Sequence, residues 1–444
     1  MFDFLNKPHH ASAANPAAGI DYELFLDCVH CGLCTAACPT YTEVADENDG
    51  PRGRIYLMRL VADGKLPVGH RLQEHLELCL DCRACETACP SGVHYGRLIE
   101  PFRLTMQEAD QSLARRFDWF REIILFRIFP YAQRMRLLLT PVRVLQKLGL
   151  YQMAERLGLF KLIPGRMGHM ATLLPTLTQG GPALPKFLPA LGRRRARVAF
   201  FVGCVADAIF RDIHWATLRV LQQNGCDVII PDGQACCGAI HYHAGSRDGA
   251  RALADQNVAA FDLADIDAVV VNHGGCGAML KEYGLHWRDA MQPRRQAFSA
   301  KVYDVHEFLD KLGPVAPTGR IEALATYHDS CHLAHAQKCF DPPRKLMGLI
   351  PGLKMVNLPE AEICCGSAGT YNLNQPEMAD RLSKRKLENI RRTGAEVVVA
   401  ANAGCLLQIG RELRQARMPV RLLHPMELLD LSYREQGLDG QGGR

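Results

Sequence analysis

The run CVHCGLCTAACP carries cysteines at 28, 31, 34 and 38 and a proline at 39, and it returns as CLDCRACETACP with cysteines at 79, 82, 85 and 89 and a proline at 90. Nothing else in the chain limits the fold as much. Thiols at such close, repeated spacing serve a bound inorganic centre, and the backbone has to wrap such a centre twice. A chain of 444 residues has ample core of its own, so its 18 cysteines are not needed as staples. The opening MFDFLNKPHHASAANPAAG lacks the apolar stretch and cleavage site of a secretory signal, which predicts a reducing cytosolic setting where thiols stay free.

Each run reads C-x2-C-x2-C-x3-C-P. In iron-sulfur chemistry, three cysteines at intervals of three supply thiolates to one cubane, and where two runs occur the fourth crosses to the other cluster. Zinc favours separate C-x2-C pairs and leaves the middle cysteine and the proline without a purpose. The runs resemble two-cluster ferredoxins. That resemblance implies one [4Fe-4S] cluster on Cys28, Cys31, Cys34 and Cys89 and a second on Cys79, Cys82, Cys85 and Cys38. The long segment between the runs, with the helical pattern DGPRGRIYLMRL, is more similar to the helical ferredoxin-type domains of respiratory iron-sulfur subunits than to a compact free ferredoxin. Two adjacent one-electron centres make a wire, not a reaction site.

Eight more cysteines form a second pattern, which leaves only Cys226 and Cys339 outside any set. Cys204, the vicinal pair Cys236 and Cys237 before Gly238, and Cys276 make one group; Cys331, Cys364 and Cys365 before Gly366, and Cys405 make the other. Around them RVAFFVGC, CDVIIP and DAVVVNHGGCGAM match ALATYHDSC, LKMVNLP and AEVVVAANAGCLLQ in order, so the C-terminal part is an internal duplication. Short β-branched runs alternating with helices predict parallel βα units, with the cysteines just after the strands, where α/β sheets hold ligands. The glycine after each vicinal pair is expected to let the backbone turn closely past a ligand.

These groups resemble the cysteine-rich CCG domain of heterodisulfide reductase and its relatives, which implies iron-sulfur clusters of unusual shape. The family motif often ends C-x-x-C, whereas here Met279 and Gln408 stand where the last cysteine would be. The donor set therefore leaves an additional iron-sulfur cluster, zinc or no metal open at each copy. His328, His332 and His335 near Cys331, and His241 and His243 near Cys237, are expected to be structural or hydrogen-bonding histidines, as are His306 and His424 at matching places after the last strand of each copy.

The expected architecture is multidomain α plus α/β. A tail runs to residue 19, a helical ferredoxin-like module covers 20–102 and a basic helical linker 103–194. Duplicated α/β domains cover 195–316 and 317–435, and a second tail 436–444. The net charge of +5 is concentrated between Phe102 and Arg166, where Lys and Arg outnumber Asp and Glu and alternate with leucines and aromatics. This pattern fits solvated helix faces or an amphipathic surface for anionic lipid or an acidic partner, and no nucleic-acid module accompanies it. No apolar stretch is long enough to span a bilayer.

The chain has no G-x-G-x-x-G after a strand and no G-x-x-x-x-G-K, so electrons have to arrive from another polypeptide. CVHCGLCTAACPTY, DGPRGRIYLMRL, HLELCLDCRACETACPSGV, CCGAIHYH, GCGAMLKEYG, AHAQK and ICCGSAGTYNL resemble the iron-sulfur subunit of glycolate oxidase (glycolate dehydrogenase) over nearly the whole chain. The resemblance implies an oxidoreductase subunit without a catalytic site of its own. Two flavin-binding partner subunits oxidise glycolate to glyoxylate, and this subunit passes the electrons towards a quinone-type acceptor from the inner face of the cell membrane. Arg115, Arg116, Arg121, Arg127, Arg134 and Arg136 are expected to help it dock there. Iron-sulfur subunits of lactate or glycerol-3-phosphate dehydrogenases, and a CCG-domain disulfide reductase, are the alternatives.

Overall fold

The computed structural model describes residues 15–113, 118–163, 165–177 and 181–438. Most of the expected N-terminal tail, with His9 and His10, and Arg115 and Arg116 of the basic segment lie outside them. The N-terminal module is helical. Pro51 opens the helix Pro51–Ala62, where its missing N–H and fixed φ fit the first turn, after an extended Gly50. Ile55, Met58 and Val61 then recur on one face and are buried against Leu72, Leu76, Leu98 and Phe102 of the following helices His70–Glu77 and Gly96–Leu113. The last of these helices runs without a break across the expected boundary at 102.

The basic segment folds into short helices, among them Phe120–Ile128, Ala132–Leu138, Thr140–Lys147 and Leu150–Arg156. More than half of the exposed large apolar residues of the described chain fall between Trp119 and Ile163, with Leu137 76%, Leu148 66%, Leu157 67% and Leu162 78% exposed. Several expected docking arginines are already engaged: Arg121 pairs with Glu122 at 2.9 Å, Arg136 pairs with Asp207 at 3.0 Å, and Arg134 lies 4.0 Å over the Tyr131 ring. Apolar side chains, more than arginines, make up the free face.

The C-terminal part holds two sheets. In chain order the strands are β1 (Phe187–Leu188), β2 (Ala196–Phe200), β3 (Cys226–Ile229), β4 (Ala268–Val271), β5 (Val302–Asp304), β6 (Ala323–His328), β7 (Leu353–Val356), β8 (Val397–Ala400) and β9 (Arg421–Leu423). They pair as β1-β3-β2-β4-β5 and β7-β6-β8-β9, all parallel except β1 on β3. β1 comes from the stretch read as linker, and it lends the first sheet an antiparallel edge. The central strands β4 and β8 are buried along their whole length, which is why they are written as VVV runs without alternation. Strand order reverses between β2 and β4, and again between β6 and β8, so each sheet has a crevice at the carboxyl ends of those strands.

The two repeats exchange helices. Arg211–Gln223 of the first packs on Pro425–Tyr433 of the second, and Asp341–Gly348 of the second packs on Val305–Leu312 of the first. Ion pairs follow the same reciprocity, Arg219 to Asp430 at 2.6 and 2.7 Å and Lys345 to Asp310 at 3.1 Å. One apolar core runs through both sheets, from Val198 and Val228 to Val397 and Leu429. His424 caps Pro425–Tyr433 by accepting from the Met426 N–H, and His306 bonds Asp304 at 2.6 Å, so both have the expected structural role.

Candidate electron-transfer centres

The first run forms a surface pocket of about 400 Å³ lined by Cys28, Cys31, Cys34, Cys85 and Cys89. The second, of about 290 Å³, is lined by Cys38, Cys79, Cys82 and Cys85. Cys89 of the second run thus faces the first pocket and Cys38 of the first run faces the second, the exchange that the ferredoxin spacing implies. The pockets share Pro51, Cys85 and Tyr95 as walls. Cys31 is exposed, whereas Cys38, Cys79, Cys82 and Cys85 are buried, so one pocket opens at the surface and the other lies within the fold.

Burial pushes the Cys34 thiol up to about 11 and lifts Cys82 and Cys85 well above the usual thiol range, with Cys364 adding to the effect at Cys82. Such thiols ionise only against a cationic centre, so the donor chemistry fits a metal cluster in both pockets. Arg54 backs the second pocket. It is 1% exposed, its Nε donates to the His75 carbonyl at 2.7 Å, and its Nη1 donates to Thr40 Oγ1 at 3.1 Å. Tyr95 donates to Cys79 Sγ at 3.6 Å. Neither residue stood out in the sequence, although an arginine inside the apolar face of DGPRGRIYLMRL was a usable signal.

In the first repeat the thiols converge at the sheet's crevice. Cys204 follows β2, its Sγ 3.2 Å from Cys236 Sγ, and the Cys237 thiol meets Cys236 and Cys276. Cys276 sits in the first turn of Gly274–His286, and its hydrogen bond to Cys237 together with burial pushes its thiol well above the usual range. In the second repeat Cys331 follows β6 with Sγ 4.0 Å from Cys364, and Cys405 occupies the first turn of Ala403–Gln415. Gly238 and Gly366 have φ of 88° and 87°. A Cβ there would lie 3.1 Å from the Ala250 carbonyl and 2.7 Å from the Ala379 carbonyl. The left-handed turn is the one expected of these glycines, and the missing side chain also admits the next helix.

Met279 is buried in the apolar cluster of the first repeat, and Gln408 accepts from Asn372 at 2.9 Å, so both replace the missing cysteines by packing and hydrogen bonding. Among the histidines, His332 bonds the Asp81 carbonyl at 2.9 Å and His335 bonds Thr87 Oγ1 at 3.0 Å, as expected of hydrogen-bonding residues. His241 stacks on Phe126 at 4.6 Å, and His243 lies 3.9 Å from Asp81. His328 is different: it is fully buried, no oxygen or nitrogen among the described residues bonds its ring nitrogens, and its ring meets the Cys405 thiol.

The N-terminal module is clamped between the repeats. Arg83, 5% exposed, gathers Asp81 at 3.0 Å, Glu86 at 3.3 Å, Glu100 at 2.5 Å and Glu282 of the first repeat at 3.5 Å. On the other side Tyr371 donates to the Leu78 carbonyl at 2.9 Å, and Cys82 packs in one apolar cluster with Cys364. The first repeat's Cys204, Cys236 and Cys237 share their cluster with Leu104 and with no cysteine of the N-terminal module.

Paired cysteine pockets joined to duplicated cysteine-rich α/β repeats define the class, an iron-sulfur protein built for electron transfer. Residues 25–93 match a 4Fe-4S dicluster domain, 198–281 and 325–410 a cysteine-rich domain, and 117–174 the linker region of the glycolate oxidase iron-sulfur subunit. The chain belongs to the glycolate oxidase iron-sulfur subunit family. It is 39% identical over 91% of its length to the probable glycolate oxidase iron-sulfur subunit of Bacillus subtilis, covering 93% of that protein. Identity to the glycolate oxidase iron-sulfur subunit of Escherichia coli is 33% over 85% of the chain and 88% of the relative. Lactate utilization protein A of Exiguobacterium matches at 33% over 52% of the chain and 96% of the relative.

Proposed function

We propose that the chain is the electron-transfer subunit of a flavin-linked glycolate (2-hydroxyacid) dehydrogenase and holds two [4Fe-4S] clusters, one on Cys28, Cys31, Cys34 and Cys89 and one on Cys38, Cys79, Cys82 and Cys85. The observation that carries this is the pair of adjoining cysteine pockets, with each run lending its fourth thiol to the other's pocket. A cluster of this kind supplies reversible one-electron storage. The thiolates bind it, and Arg54 and Tyr95 put positive charge and a hydrogen bond beside the sulfurs of the buried pocket, which favours a reduced centre there. The exposed edge at Cys31 faces the flavin partner subunits, and the path continues from Cys82 to Cys364 in the second repeat.

The acceptor is a membrane quinone. The subunit meets the inner face of the cell membrane through the leucine-rich face of residues 119–163, with Arg127, Lys147 and Arg156 beside it for anionic headgroups. No helix of the described residues is long and apolar enough to cross a membrane. Iron and sulfide counts with EPR on the anaerobically isolated chain test the cluster assignment. About 8 irons retained when the cysteines of both repeats are replaced is the expected result, and fewer than about 4 refutes it. Flotation with anionic vesicles tests the surface. Leu148→Glu with Leu157→Glu is expected to abolish binding, and unchanged flotation would refute the contact.

A further inference from the structure

We propose that His328 is a metal ligand, so that the second repeat holds a mixed imidazole–thiolate centre while the first is confined to thiolates. The inference deepens the reading of the repeats as metal sites. His328 ends β6, is 0% exposed, and among the described residues its ring nitrogens find no oxygen or nitrogen partner, only the Cys405 thiol. A thiol is a weak hydrogen-bond partner, and buried polar groups are seldom left to one alone without a purpose. Its neighbours do spend ring nitrogens on oxygen, His332 Nε2 on the Asp81 carbonyl and His335 on Thr87 Oγ1 and the Glu362 carbonyl.

What faces His328 is sulfur. A ring nitrogen, Cys365 Sγ and Cys405 Sγ lie within 4.8 Å of one another, all three residues buried. Ligand atoms of one tetrahedral zinc or iron fall at that separation, and imidazole with thiolate suits either metal. Cys331 and Cys364, 4.0 Å apart at Sγ, adjoin the set and can complete it. The donor missing at Gln408, in the helix Ala403–Gln415, is thereby made up from the strand β6. At the same place in the first repeat, three residues before its first cysteine, stands Phe201, buried and without a donor.

The test uses the full chain, isolated anaerobically and dialysed against EDTA, with iron and zinc counted per polypeptide. Cys405→Ser defines how much metal belongs to the second repeat. His328→Gln keeps hydrogen-bonding capacity and bulk but is a poor ligand, whereas His328→Cys loses both and remains a good one. A ligand role predicts that the Gln variant loses that metal by about tenfold or more while the Cys variant keeps it. A structural role predicts the reverse order. Equal retention in both variants, equal loss in both, or a wild-type chain with no Cys405-dependent metal would each overturn the assignment. The iron held by residues 28–89 is read in the same samples. Its absence from the wild type would sink the cluster reading, while its presence in all variants leaves any failure to His328 alone.

Discussion

The two cysteine-rich repeats share a strand order, a vicinal cysteine pair before a left-handed glycine and a third thiol in the first turn of a helix, yet they differ at the end of their opening strand and in what covers them. Phe201 closes the first crevice with a ring. His328 brings nitrogen to the second. The N-terminal module meets the first repeat through charge, at Arg83 and Glu282, and the second through its own cysteines, at Cys82 and Cys364. Duplication preserved the scaffold, and the chemistry diverged in the few residues that point into each crevice.

The sharpest way to break this comparison is to remove one thiol from each repeat. Cys405→Ser is expected to lower electron transfer from substrate to quinone by on the order of 100-fold, with flavin reduction in the partners unchanged, while Cys237→Ser leaves it within about threefold. Equal losses in the two variants would make both repeats part of the path. Next in size is Arg83→Ala, which strands Asp81, Glu86, Glu100 and Glu282 without their cation. Loss of one partner from such a buried network costs about 3–5 kcal/mol, measurable by denaturant unfolding. A loss below about 1 kcal/mol would mean that the clamp on the first repeat is not electrostatic.

Acid should then weaken the first repeat. Burial holds His214 and His286 down at about 3, well below their ordinary value. The unfolded chain therefore binds more protons between about 6.5 and 3. Stability from the neutral rings is complete above that window and falls as pH drops through it, by up to about 1.4 kcal/mol per pH unit for each group. A unfolding midpoint that stays constant from pH 7 to 5 would contradict this, and His214→Gln should remove its share of the slope. The smallest effect belongs to Arg385, half-exposed between Glu43 of the N-terminal module at 2.9 Å and Glu360 of the second repeat at 2.5 Å. Arg385→Ala is expected to cost about 1 kcal/mol or less, and a larger loss would assign the docking of the second repeat to charge as well.

Much of this was legible before any coordinates. The spacing of Cys28 to Cys38 and Cys79 to Cys89 carries its own geometry, since thiols three residues apart can reach one centre, and the cysteines of both runs line two adjoining pockets with Cys85 common to both. The VVV runs announced buried parallel strands, and the cysteines after them announced the crevices. What stayed hidden depends on contacts between distant segments. Nothing in LCLDC tells that Cys82 meets Cys364, or that Arg83 reaches Glu282. The pattern of the linker left solvated helix faces and an amphipathic surface open, and only the packing shows its leucines bare. His328 hid beside two nearby histidines, His332 and His335. Setting the two copies side by side, phenylalanine against histidine, was the available signal.

The reciprocal exchange of helices also bears on how the chain is made. The first repeat's helix Arg211–Gln223 is covered by Pro425–Tyr433, a helix translated much later than its partner. A nascent first repeat therefore waits on the ribosome with one apolar flank uncovered until this later helix has emerged, and a stop codon ahead of Pro425 would unmask a domain encoded roughly two hundred codons earlier.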